Sequence, residues 1–127
     1  MEFTYNAYAD LLDRLAAAGY QIRGYHDYQK VKKPCILRHD VDFDLQKAAA
    51  FAELEERLGV HSTYFVLVRS DFYNVFSKAS QQALERIKRA GCEIGLHFDE
   101  ALYDQKDVEQ GIAQKVMAER KILEAAA

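Results

Sequence analysis

Between Cys35 and Leu58 the chain reads CILRHDVDFDLQKAAAFAELEERL. Its opening, Cys35-Ile36-Leu37-Arg38-His39-Asp40, is a short apolar run ending in charged residues, the pattern of a buried strand leaving its sheet. From Leu45 to Leu58 the residues Ala48, Phe51, Leu54 and Leu58 recur with a helical period, which predicts a strand followed by a helix. The same unit recurs towards the C-terminus. His61 to Val68 is rich in β-branched and aromatic residues and predicts a second strand, and a helix over about Gln81 to Ala90 carries Leu84 and Ile87 ahead of Gly91. A third strand, Cys92 to Phe98, precedes a last helix from about Lys106 to Leu123, with Val108, Ile112, Val116 and Leu123 on one stripe. Towards the N-terminus, Thr4 can cap a helix whose Tyr8, Leu11, Leu12, Leu15 and Ala18 share a side, and Gly19 is placed to stop it.

Strands alternating with helices at this spacing build βαβ units with parallel strands and right-handed crossovers, so the expected fold class is α/β. No repeat or Gly/Ser linker interrupts the chain, and residues 1–127 read as one domain whose apolar half is enough for a core. A net charge of -3 and scattered Lys and Arg residues provide no basic footprint, which argues against nucleic acid as a ligand. No window approaches the roughly 18 apolar residues of a membrane span, and Met1-Glu2-Phe3-Thr4-Tyr5 lacks the charged start of a signal peptide. A cytoplasmic location is the expectation. Cys35 and Cys92 each fall in a strand-like stretch, which suits buried thiols in a reducing compartment better than a disulfide.

Parallel sheets gather function at the carboxyl ends of their strands, where this chain has Asp40 and Asp42 after the first strand and His97 and Asp99 after the third. Along Arg38-His39-Asp40-Val41-Asp42 the even-numbered side chains share a face while the backbone stays extended. Two neighbouring carboxylates can divide labour, one binding a cation and the other accepting a proton. In the third strand Ile94, Leu96 and Phe98 have the parity of a helix-packed face, which turns Glu93, Gly95 and His97 to the opposite face with Arg38 and Asp40. An imidazole beside carboxylates suits a transition metal.

Each of these residues also has a structural reading. Asp42 or Asp44 can cap the following helix, and His97 can be a hydrogen-bonded rim histidine. His39 has the parity of Leu37 and is expected to face the helices, while His26 and His61 are expected to be solvated or packed. Arg38 and Glu93 either form an interior ion pair, or Arg38 orients Asp40. The segment Asp71-Phe72-Tyr73-Asn74-Val75-Phe76 is either a sugar-stacking surface or a loop that packs its own rings.

Three segments together, Leu37-Arg38-His39-Asp40-Val41-Asp42, Ser62-Thr63-Tyr64-Phe65-Val66 and Ala90-Gly91-Cys92-Glu93-Ile94-Gly95-Leu96-His97, resemble the polysaccharide deacetylases of the NodB-homology type, carbohydrate esterase family 4. The wording is nearest to a branch found with surface-polysaccharide biosynthesis genes. The resemblance implies a deformed (β/α) barrel and a metal-dependent hydrolase that removes N- or O-acetyl groups from a glycan. It would make Asp40 the general base and Asp42 and His97 ligands of a divalent metal, with zinc expected. The family's second histidine, four residues after the first, is replaced here by Ala101, so Asp99 becomes the candidate for an additional ligand. Cys92 stands where the family often has histidine, and its parity assigns it to packing.

The resemblance covers only the first three βα units, which cannot close a barrel, and activity is expected to depend on later segments bearing an arginine motif and a catalytic histidine. Unpaired sheet edges would then favour self-association. Two alternatives remain: a truncated or degenerate module that binds a glycan or a partner chain without catalysis, and another metal-dependent hydrolase such as a phosphoesterase. The last lacks a Gly-rich phosphate cradle.

Overall fold

The computed structural model describes residues 2–127, the side chains of Asp107 and Val108 excepted. Helix α1 spans Tyr5–Ala17; Thr4 Oγ1 accepts a hydrogen bond from the Ala7 N–H at 3.1 Å, and Gly19, at φ +85°, turns the chain out after the last turn. Leu12 is its buried residue, and Leu11, expected on the same side, is exposed. Two short strands follow, β1 (Gln21–Ile22) and β2 (Pro34–Cys35), paired in parallel with each other, and then β3 (Arg38–Val41). The single strand expected from Cys35 to Asp40 is therefore two. The Cys35 carbonyl accepts from the Arg23 N–H, whereas the Leu37 carbonyl accepts from the Thr63 N–H, so the backbone changes partners between them.

The main unit continues with α2 (Leu45–Arg57), β4 (Thr63–Leu67), α3 (Lys78–Arg89), β5 (Glu93–His97) and α4 (Gln105–Ala126). Strands β3, β4 and β5 lie in that order, all parallel, and the fold class is α/β. The sheet of the described residues is open, with β3 and β5 as its edges, and forms no closed barrel. Asp44 caps α2, its Oδ1 accepting from the N–H groups of Gln46 at 2.9 Å and Lys47 at 3.1 Å, and Ser77 caps α3. Asp42 is thereby released from the capping role.

Helices α2 and α3 pack together beside the sheet, and the core there contains Ala49, Ala52, Tyr64, Val66, Leu84 and Ile87. Burying a side chain such as Leu84 or Ile87 contributes about 1.5–3 kcal/mol. The buried stripe of α2 differs from the expected one: Leu45, Ala49, Ala52 and Glu55 are buried, while Ala48, Phe51 and Leu54 are half-buried and Leu58 is exposed. Alanine side chains let α2 approach its neighbours closely, and Glu55 is drawn inward by the donors described below.

In α4 the backbone departs from helical geometry at Gly111, and Ile112, expected on the buried stripe, is exposed, whereas Glu119, Leu123 and Ala126 beyond the kink are buried. The Val108 side chain, also expected on that stripe, lies outside what is described. Cys35 and Cys92 are unpaired thiols, Cys92 buried in the core. Among the described residues no helix is long and apolar enough to cross a membrane.

Candidate metal and catalytic site

Strand register sets the layout. On the face opposite α2 and α3, Arg38, Thr63 and Glu93 form one row and Asp40, Phe65 and Gly95 the next, with His97 aligned to Leu67 in a third. Phe65 dominates the middle row: the Arg38 guanidinium stacks on its ring at 4.3 Å, Tyr25 meets it edge-on at 6.0 Å, and a Cβ at position 95 would lie only 2.7 Å from its Cε1. Glycine at 95 is what allows the ring to lie across the sheet. Arg38 donates to Asp40 Oδ1 at 2.5 Å, so its partner is Asp40 and not the Glu93 expected from an interior ion pair. Glu93 instead meets His26 Nδ1 and accepts from the Thr63 hydroxyl at 3.0 Å. The reason is local: two residues along one strand face bring Arg38 to Asp40, while β4 separates Arg38 from β5.

Asp42 follows the last residue of β3, and its Oδ1 lies 3.4 Å from His97 Nε2. The two come from the outer strands, which neighbouring-strand spacing sets about 10 Å apart, and their side chains converge above the end of β4. Tyr73 holds that end together. Its hydroxyl donates to the Val41 carbonyl at 2.6 Å and accepts from the Leu67 N–H at 2.9 Å, tying β3 to β4 at the level of the site. Burial raises the Tyr73 hydroxyl, the Leu67 N–H opposes that, and Asp42 adds to it, leaving the group pushed up to about 12 and able to donate at neutral pH.

The donor atoms of Asp42 and His97 suit a divalent ion in type and in spacing. Two ligand atoms each about 2.1 Å from a tetrahedral ion lie about 3.4 Å from one another, the separation found here, which is long for a hydrogen bond. Asp99 is engaged elsewhere, its carboxylate accepting from the Ala101 N–H at 3.0 Å to cap the short turn Glu100–Leu102. Among the described residues no set of three or more His, Cys, Asp or Glu side chains comes together as a complete metal cage. The candidate residues thus separate into an Asp42–His97 pair, an Asp40–Arg38 pair in the row below, and Asp99 on its own turn. A concavity of about 460 Å³ opens beside Asp40, Asp42 and Phe43. A larger one, about 940 Å³, follows the β5 edge past Phe65, Gly95 and Leu123 without reaching the Asp42–His97 pair.

A second carboxylate–imidazole pair lies on the helix-covered face. Glu55, 0 % exposed, accepts at Oε1 from the Tyr8 hydroxyl at 2.5 Å and from His39 Nε2 at 2.7 Å, and at Oε2 from Ser62 at 2.5 Å and Tyr64 at 2.9 Å. The Cys92 thiol is 3.9 Å from the same oxygen. Burial alone would raise the Glu55 carboxyl, but the bonds from His39, Ser62 and Tyr8 outweigh it and hold the group below its ordinary value. Burial raises the hydroxyls of Tyr8 and Tyr64, and Glu55 adds to it. His39 faces the helices as its parity indicates. Glu55 went unread in the sequence, although it continues the helical spacing of Leu45, Ala49 and Ala52; its charge hid it.

Compared with family models, curated proteins and solved structures, the chain matches none.

Proposed function

We propose that this chain carries the metal-binding part of a metal-dependent glycan deacetylase, with Asp42 and His97 holding a divalent cation, zinc by expectation, and Asp40 serving as proton acceptor. The observation that carries the proposal is the 3.4 Å approach of Asp42 Oδ1 to His97 Nε2, side chains from opposite edges of the sheet. An ion bound there supplies Lewis-acid polarisation of the acetyl carbonyl and makes water easier to deprotonate. The chain's own residues do the rest. Arg38 fixes the Asp40 carboxylate through Oδ1, so that Oδ2 accepts the proton of the attacking water. Tyr73 holds the strand ends that carry Asp42 in place. The substrate is an acetylated glycan.

Zinc titration followed by calorimetry tests the metal assignment: wild type binds, while Asp42→Ala and His97→Ala each lose binding. Equal heats for all three proteins overturn it. A second reading, a glycan- or partner-binding module without catalysis, is favoured by the ligand set: among the described residues no third His, Cys, Asp or Glu side chain joins Asp42 and His97. Zinc-dependent acetate release from an N-acetylated oligosaccharide, lost in Asp40→Asn, would establish the enzyme and exclude the non-catalytic module. The unpaired edges of β3 and β5 also support self-association; size-exclusion chromatography coupled to light scattering should give a species heavier than 14.6 kDa, and a stable monomer contradicts this.

A further inference from the structure

Phe43, which follows Asp42 in the chain, forms an exposed aromatic pair with Phe72. Phe43 and Phe72 meet edge to face with ring centroids 4.8 Å apart at 86°, yet they are 66 % and 65 % exposed. Their exposure does not come from a loosely held loop. Within the segment after β4, Tyr73 bonds to both strand ends and Val75 is buried, so alternate residues anchor the loop and Phe72 is left outward. The Phe72 N–H is itself held by the Ser70 hydroxyl at 3.0 Å. Exposed apolar surface kept in a defined place next to polar groups marks a binding surface.

We propose that Phe43 and Phe72 form a stacking platform for one pyranose ring of the substrate, at the mouth of the Asp42–His97 site. This rests on the glycan reading above and adds the residues that recognise the sugar. The choice of a sugar follows from what surrounds the rings. Asp40, Asp42 and Asp44, with Lys47, line the concavity that Phe43 borders, and Asp71 precedes Phe72 in the chain, so the surroundings are net acidic. Such a surface repels anionic ligands and interrupts the continuous apolar area that a lipid chain needs. It suits a neutral ring with an apolar C–H face for the phenyl groups and hydroxyls at its rim to donate to carboxylates. Phe43 lines the same concavity as Asp40 and Asp42, so a ring stacked on the platform has its substituents within reach of these carboxylates.

The test titrates wild type, Phe43→Ala, Phe72→Ala, Phe72→Trp and Phe76→Ala with N-acetylated oligomers of glucosamine, galactosamine and mannosamine, and titrates each protein separately with zinc. Phe76 is half exposed and is the off-platform control. Wild type should bind at least one oligomer; Phe43→Ala and Phe72→Ala should weaken that binding about tenfold, and Phe72→Trp and Phe76→Ala should retain it. All five should take zinc alike and keep the same circular dichroism spectrum. Undiminished oligomer binding by Phe72→Ala overturns the platform. So does a wild type that takes up zinc through Asp42 yet binds no oligomer, which leaves the metal site standing. A wild type that binds oligomer through Phe72 but ignores zinc keeps the platform and removes the metal-dependent chemistry.

Discussion

Glu55 with His39, and Asp42 with His97, are the same two kinds of side chain, the first pair joining α2 to β3 and the second joining the end of β3 to β5, and they have opposite surroundings. Glu55 is fully buried, each of its oxygens takes two donors, and those donors come from α1, β3, β4 and the residue before it. The Asp42 and His97 side chains are 50 % and 30 % exposed and meet at 3.4 Å, too far for a strong bond. A carboxylate whose lone pairs are filled by fixed hydroxyls has nothing left for a ligand, and removing it strands buried donors. One that is half in water, with a loosely met imidazole, can rebind at little cost. The difference assigns the first pair to holding the fold and supports the proposal that the second binds an ion.

The largest effect belongs to the buried pair. Glu55→Ala should cost about 3–5 kcal/mol, enough to unfold much of a domain whose total stability is about 5–15 kcal/mol. Glu55→Gln keeps an acceptor and should cost about 1–3 kcal/mol. Urea denaturation monitored by circular dichroism reads both, and a loss under 1 kcal/mol for the alanine variant would dissolve the distinction between the pairs.

Acid sharpens the contrast next. Because the folded Glu55 carboxyl sits below its ordinary value, the stability it contributes is fully present above its unfolded value of about 4.3 and disappears as pH falls through the lower folded one. Wild type should therefore lose stability below about pH 4, and Glu55→Gln should show a shallower acid limb in the same denaturation series. Parallel limbs would place the acid sensitivity elsewhere. The smallest effect on stability is expected at the exposed pair, where Asp42→Ala and His97→Ala should each change it by no more than about 0.5 kcal/mol while abolishing zinc uptake. A loss of 2 kcal/mol or more would make Asp42–His97 a second structural clamp.

The βα alternation and the strand faces were legible because period and parity follow from backbone geometry alone. His39, Cys92 and His97 lie on the sides their parity gives them, and Asp44 does the capping that left Asp42 open. What escaped depends on partners distant in sequence. Glu55 is charged, so no apolar pattern includes it, and only the meeting of Tyr8, His39, Ser62 and Tyr64 makes its burial affordable. The division of Cys35 from Arg38 into separate strands follows from β1, whose two residues give too short a pattern to read. The preference of Arg38 for Asp40 over Glu93 depends on β4 lying between them, an order that alternation does not specify.

The chain has four histidines, so one experiment can follow both pairs at once. Zinc is added to uniformly ¹⁵N-labelled protein while the imidazole nitrogen resonances are recorded, with His97→Ala used to assign that ring. The His97 resonances should shift or broaden at the first additions, while those of His39, locked to Glu55, stay in place. A response at His39 with none at His97 would contradict the assignment of the two pairs, and no response at any ring would remove the metal site.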